Sequence, residues 1–402
     1  MRPVLHWVPA LALALAGPAF SAHAVDGSTP LSAPRSAPAP LYASPDPIPG
    51  RYIVAVQEQS THRDITAALP GIEVERTYSR VLNGFSAALT PAQLDAVRHH
   101  PSVLAVEQDA EIRGDSTGPG SRSNRVSAAS WGLDRIDQRD LPLDGQYNVK
   151  TIGLGVNAYV IDSGIEFAHP EFGLRARRGF DAVGDGQNGN DCDGHGTQVA
   201  GVLGGKTYGV ARGVSLISVR VLNCENSGSS SKLIAGMDWV ALHGKQPAVV
   251  NISAGGTNSR LIDEAANRLA EQGFPPFVSA GNLNVDACTR SPAGAERSIA
   301  VSSTNKDDSR RQTNAYGPCV WIFAPGTDIE TADLTTEEGT TTASGTSVAA
   351  PHVAGVAALY KGLHPLASTE TVRLWLAEQA TEGRLTGIGT GSPNRLLYTG
   401  GL

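Results

Sequence analysis

The stretch Gly345-Thr346-Ser347-Val348-Ala349-Ala350-Pro351-His352 sets a serine among small residues at a helix start, where a hydroxyl has few structural reasons to exist. Such a hydroxyl is a useful nucleophile at neutral pH only when a base takes its proton. Two further segments offer the missing partners. Asp191-Cys192-Asp193-Gly194-His195-Gly196-Thr197 holds a histidine between glycines, so a backbone or substrate can approach without a side chain in the way. Tyr159-Val160-Ile161-Asp162-Ser163-Gly164 ends an apolar run on an aspartate and a glycine turn, the pattern of a buried strand that delivers a carboxylate at its tip. In chain order the three groups are Asp162, His195 and Ser347. Together they could perform acyl transfer: the serine attacks, the histidine moves the proton, and the aspartate holds the imidazole tautomer and stabilises its cation.

These groups need a scaffold. Val156 to Ile161, Leu216 to Leu222, Val249 to Ser253, Pro276 to Ala280 and Ile299 to Ser303 are short apolar runs that read as strands. Helical patterns lie between them at about 196–204, 230–243, 259–272 and 347–361. Alternation of helices with fully apolar strands predicts an α/β fold, a mostly parallel sheet covered on both faces. Ligands bind such sheets beyond the carboxyl ends of the strands. Asp162 falls at that end of its strand, and Ser253 and Asn282 follow theirs, so the candidate groups converge from different strands.

The order Asp, His, Ser is that of subtilisin, whereas chymotrypsin and the α/β-hydrolases use other orders. With Asn251-Ile252-Ser253-Ala254-Gly255-Gly256 and Ser279-Ala280-Gly281-Asn282, the chain from about Trp131 onward resembles a subtilisin-like serine protease of the proteinase K and aqualysin type. The resemblance implies a catalytic triad of Asp162, His195 and Ser347, with an oxyanion hole made by the Asn282 side chain and the Ser347 N–H. It implies that Ser253, Ala254, Gly255 and Gly256 on one side, and Asn226, Ser227 and Gly228 on the other, pair with an extended polypeptide substrate as its middle strand. Ala254, Gly255, Ala280 and Gly281 are small and leave room for an apolar or aromatic P1 side chain; no charged residue is visible there to select a charged one. Asn251-Ile252-Ser253 is a formal glycosylation sequon on a strand expected to be buried.

Four cysteines allow three pairings; the resemblance favours Cys192–Cys224 and Cys288–Cys319, and the close C-x-x-C spacings of a zinc site are missing. It also implies a calcium loop with Asp134, Asp137, Gln138, Asp144 and Gln146 as hard oxygen ligands. The acidic Asp181–Asp193 loop is a weaker candidate for an ion. A further calcium site of the family needs a carboxylate where this chain has Trp321. Gln198 and Val348 also depart from the family pattern, without replacing a proton-transfer group. No organic cofactor is expected.

Ahead of the protease region, Arg2, the apolar Val8 to Ala16 and Ala22-His23-Ala24 read as a signal peptide over residues 1–24, and the apolar run is too short for a membrane anchor. Residues 25–49, rich in Pro, Ala and Ser, read as a spacer. Residues 50–113 alternate as a small α+β unit, with strands at Arg51–Val56, Gly84–Leu89 and Val103–Glu107 and a helix at Pro91–His99. This unit resembles the ferredoxin-like inhibitor propeptide of subtilisin-like proteases, which implies an autoprocessed zymogen. Residues 114–129, rich in Gly, Ser, Thr and Arg, read as a cleavable linker before the peptidase domain, 130–402. A net charge of −7 with no basic cluster argues against nucleic-acid binding. The expectation is therefore a secreted, monomeric endopeptidase whose partners are polypeptides and its own propeptide.

Overall fold

Alternating burial builds the N-terminal unit. In the computed structural model, which describes residues 37–115, 130–334 and 339–402, the strand Pro47–Val56 sends Ile53 and Ala55 to one face and Val54 and Val56 to the other. Antiparallel pairing puts the strands in the spatial order Val103–Gly114, Pro47–Val56, Gly84–Ala88, Val74–Tyr78. The helices His62–Ala68 and Pro91–His99 complete a βαββαβ ferredoxin-like unit. Pro91–His99 begins where it should: Thr90 and Gln93 form a capping box, and Pro91 takes the first position, where no N–H is needed. Ile65 and Val97 of the two helices cover the Val54 face.

The other face of this unit is buried against the protease region. Ile53, Ala55, Tyr78, Val81, Leu82 and Ala105 share one core with Leu233, Ile234, Ile262 and Leu269 of the helices Ser230–His243 and Arg260–Glu271. Two carboxylates fix the register of this contact. Asp109 accepts hydrogen bonds from the Ser231 N–H (2.9 Å) and Oγ (2.7 Å), and Glu107 accepts one from the Leu261 N–H (3.2 Å). Each sits at a helix N-terminus, where orphan amides and the helix dipole favour an anion.

Beyond this interface, parallel strands run in the order Ala176–Asp181, Ser215–Arg220, Asn157–Asp162, Ala248–Ile252, Pro276–Ser279, Ile299–Thr304, Ile322–Pro325 and Arg395–Leu396. Thr381–Glu382 pairs antiparallel at the edge, making nine strands among the described residues. Period-two alternation makes the layers. Ile161, Val219, Val250 and Val278 face the two helices just named. Val160, Leu216, Val249 and Phe277 face the opposite core, which His195–Gly204 and Thr346–Leu363 cover. The fold is α/β with helices on both faces, as the apolar strand runs predict. Disulfides join Cys192 to Cys224 and Cys288 to Cys319.

One boundary differs from the sequence reading. The expected spacer, 25–49, is not structureless in its second half: Leu41–Tyr42 pairs parallel with the Val103–Gly114 strand, and the next strand already starts at Pro47. Proline is tolerated as the first residue of a strand, and Ala39 is buried while Tyr42 has an Arg260 guanidinium 4.8 Å above its ring. The expected signal peptide, the first part of the spacer and nearly all of the 114–129 linker lie outside the described residues.

Candidate active site

Asp162 ends its strand at the carboxyl edge of the sheet, and His195 opens the helix beside it. Their close approach depends on Gly196, because a Cβ there would lie 2.1 Å from the Gly164 carbonyl oxygen. Asp191 ties down the same turn. Its carboxylate accepts from the Gly194 N–H, the Thr197 N–H and Oγ1, and Ser163 Oγ, which in turn accepts from the Gly196 N–H. A buried acid thus satisfies the helix start that Gly194, having no side chain, leaves uncapped.

With that turn fixed, His195 Nδ1 donates to Asp162 Oδ1 at 2.7 Å. A carboxylate only accepts, so Nδ1 carries a proton in either charge state, and in the neutral imidazole Nε2 is left to act as a base. Burial alone would lower the His195 pKa, but the Asp162 charge and hydrogen bond, with Asp193 and Asp191 behind, push it up to about 9. His195 Nε2 and Ser347 Oγ are both buried without a hydrogen-bond partner among the described residues. The structure therefore brings Asp162 and His195 into contact and leaves the serine hydroxyl and the second imidazole nitrogen without a partner among the described residues.

Ser347 lies in the first turn of its helix, where N–H groups have no intrahelical acceptor. The Thr346 N–H donates to Asn282 Oδ1 (2.9 Å), which fixes the amide so that Asn282 Nδ2 points away from the helix. Pro351, four residues beyond Ser347, has no N–H to give the Ser347 carbonyl; Ser253 Oγ donates to that carbonyl instead, at 2.8 Å. The bond freed by the proline thus docks the serine turn onto the Ser253 segment.

The end of the N-terminal unit runs between two segments of the protease region. Arg113, Ile112 and Glu111 pair antiparallel with Ser227, Gly228 and Ser229, and on the other side Gly114 and Arg113 pair with Ala254 and Gly255. The Gly114 N–H donates to the Asn226 carbonyl (3.2 Å) and the Asp115 N–H to the Ser253 carbonyl (3.0 Å). Asn282 Nδ2 then donates to the Asp115 carbonyl at 2.5 Å. Gly345 makes room for it, since a Cβ there would lie 2.8 Å from that oxygen. The Asp115 carboxyl turns inward and accepts from Ser279 Oγ at 2.5 Å.

One expected contact residue behaves differently. Gly256 pairs with Ser291 on one side and lies against the tail on the other, where a Cβ would be 3.3 Å from the Glu111 carbonyl oxygen, whereas Ala280 belongs to a small core with Ala287, Ala315 and Phe323. The pocket is also not free of charge. Arg290 approaches Gly281, with its Nε 3.7 Å from a Cβ position there, and its field acts on Asp115. Asn251 is fully buried, as its strand position requires.

The acidic loop meets part of the requirement for a cation. Asp134 and Asp137 have pKa values raised by burial, with neighbouring carboxylates adding to the effect, and among the described residues no cationic side chain pairs with either. Asp134 accepts from the Asp144 and Gly145 N–H groups, Asp137 from the Asn148 N–H, Gln138 Oε1 from the Asp144 N–H, and Asp144 from the Gln146 N–H. The charge fits calcium, while the carboxylate oxygens are held by backbone amides and not gathered round one point. In the second loop, Asp181 and Asp185 pair with the Arg220 guanidinium, so their charge is already met. Trp321 lies beneath the Arg373 guanidinium, 3.8 Å from its ring centre, and serves a stacking role where a ligand was absent from the sequence.

A profile of the subtilase family matches residues 153–396, and one of peptidase inhibitor I9 matches residues 51–114. The chain belongs to the subtilase family. This subtilase is similar to the extracellular serine proteinase of Thermus sp. (strain Rt41A), at 40% identity over 94% of this chain and 96% of that one. It is 43% identical to alkaline serine exoprotease A of Vibrio alginolyticus, over 91% of this chain and 71% of that one. A solved cold-adapted subtilisin-like serine proteinase is 45% identical, with a TM-score of 0.66, covering 68% of this chain and 99% of its own. The subtilase is thus a serine peptidase, a hydrolase of peptide bonds, preceded by an inhibitor-type propeptide. Among its described residues no helix is long and apolar enough to cross a membrane.

Sequence reasoning missed four residues of this subtilase site: Asp191, Thr346, Ser279 and Arg290. Asp191 had a readable signal, an acid three residues before a helix opening on glycine. Arg290 had none, because its approach to the pocket is made by a strand that follows the Cys288 turn.

Proposed function

We propose that this subtilase is a secreted endopeptidase that cleaves its own propeptide after Asp115 and then hydrolyses extended polypeptides with broad specificity. The observation that carries the reading is the Asp115 carbonyl on Asn282 Nδ2, at the end of a strand seated between Asn226–Ser229 and Ser253–Gly255. Ser347 Oγ attacks the carbonyl carbon of Asp115 while its proton passes to His195 Nε2. Asp162 holds the imidazole and stabilises its cation. The oxyanion that forms is met by Asn282 Nδ2 and the Ser347 N–H. Collapse breaks the bond to the Ser116 nitrogen, His195 returns the proton to that leaving amine, and water hydrolyses the acyl-enzyme by the reverse sequence. Later substrates take the tail's place through the same backbone bonds, and the small residues Ala254, Gly255 and Gly281 leave space for apolar or aromatic P1 side chains.

Export is supported by the signal-like N-terminus and by the extracellular relative from Thermus. Asp134, Asp137, Gln138, Asp144 and Gln146 would hold a structural calcium ion once their oxygens turn from the backbone amides to a common centre; the ion would screen their mutual repulsion and take no part in the chemistry. A fluorophosphonate label tests the reading. It should attach to Ser347 in the mature protein and be lost in Ser347→Ala; a labelled Ser347→Ala protein, or an unlabelled parent, contradicts it. A silent binding protein would fail the first arm. An esterase on the same triad would label but leave casein intact.

A further inference from the structure

The P1 position of the seated tail is occupied by an acid. The Asp115 carboxyl takes a hydrogen bond from Ser279 Oγ at 2.5 Å. Arg290 stands at the neighbouring wall, against Gly281, whose φ of +106° leaves no Cβ between them. Among the described residues the Arg290 guanidinium has no hydrogen bond and no ion pair of its own, so its charge is uncommitted. Other charges near Asp115 are His195, which also attracts it, and Asp162, which repels it. An unpaired guanidinium beside a pocket that already holds a carboxyl group favours acidic ligands.

We propose that Arg290, together with Ser279, makes the P1 pocket of the mature peptidase a site for acidic side chains, so that it cleaves after Asp and Glu as well as after apolar residues. The inference rests on the reading of Ser347 as the nucleophile. Ser279 serves any P1 group with an acceptor oxygen, whereas Arg290 distinguishes a carboxylate from its amide. Burial raises the Asp115 carboxyl pKa, and the Ser279 hydrogen bond followed by the Arg290 charge oppose that rise.

The test uses mature enzyme, titrated for active serine, and peptide anilides that differ only at P1: Glu, Gln and Leu. The parent should hydrolyse the Glu substrate within about tenfold of the Gln substrate. Arg290→Gln should lower the Glu-to-Gln ratio of kcat/KM by about tenfold or more, and Arg290→Lys should restore most of it. If Arg290→Gln fails to mature, the double variant Arg290→Gln/Asp115→Asn removes the acid at the processing site and should mature. Overturning results are a Glu-to-Gln ratio unchanged by Arg290→Gln, or failure of the double variant to mature as well. Loss of Leu hydrolysis by the parent, with no label on Ser347, would instead refute the nucleophile reading.

Discussion

Replacing Asp109 by alanine should release the propeptide from the protease face. Asp109 is buried and gives its carboxylate to two donors of Ser231, the N–H at 2.9 Å and Oγ at 2.7 Å, at the N-terminus of Ser230–His243. Charge-assisted bonds of this type contribute about 1.5 kcal/mol each, and an anion at a helix N-terminus adds about 1 kcal/mol, giving about 4 kcal/mol in all. Water entering the vacated space recovers part of this, leaving about 3 kcal/mol, or roughly 150-fold in the inhibition constant. The assay is inhibition of titrated mature enzyme by isolated propeptide, parent against Asp109→Ala. Asp95→Ala is the control, since Asp95 is exposed and bonds only within its own helix. An Asp109→Ala propeptide that is folded by circular dichroism and inhibits within fivefold of the parent would refute the helix-capping account. Equal weakening by Asp95→Ala would do the same.

Three other outcomes follow from the geometry. Processing of the precursor needs neutral His195, whose pKa stands at about 9. Its rate should therefore climb by about tenfold per pH unit below that value and then level off; the His195–Asp162 ion pair is fully stabilising below about 6.5 and is lost as pH rises through about 9. A rate maximum near neutrality in rapid-mixing assays would contradict this. Removing the Cys288–Cys319 bridge with a double serine variant opens a loop with a sequence separation of 31 and should cost about 3–4 kcal/mol, read as faster thermal inactivation; an unchanged inactivation rate would oppose it. Chelation with EGTA should shorten the half-life of the mature enzyme, calcium should restore it, and Asp137→Asn should abolish the difference; insensitivity of the parent would exclude the loop as a calcium site.

Much of this fold is legible because apolar strands and amphipathic helices carry local signals. Asn157–Asp162, Ala248–Ile252 and Ile299–Thr304 are apolar on both faces and could be read within a residue or two. Ala176–Asp181 could not, since it is an edge strand whose Arg177 and Arg178 face solvent. Val74–Tyr78 exposes Glu75 and Thr77 and only half-buries Val74 and Arg76, and His62–Ala68 buries only Ile65. The last propeptide strand continues from Glu107 to Gly114 because the protease supplies partners on both sides of its end. No local pattern could announce that extension. The same holds at the site: Asp162, His195, Ser347 and Asn282 sit in compact motifs, whereas Asp115, Ser279 and Arg290 meet only through tertiary contact.

The central claim is that Ser347 attacks the carbonyl held by Asn282. Intact mass of the exported protein tests it most directly. The parent should yield a mature chain beginning at Ser116 and a propeptide ending at Asp115, while Ser347→Ala should remain one uncleaved chain joined through Asp115–Ser116. Cleavage at that bond in Ser347→Ala, or a parent cut elsewhere with Asp115–Ser116 intact, would contradict the account.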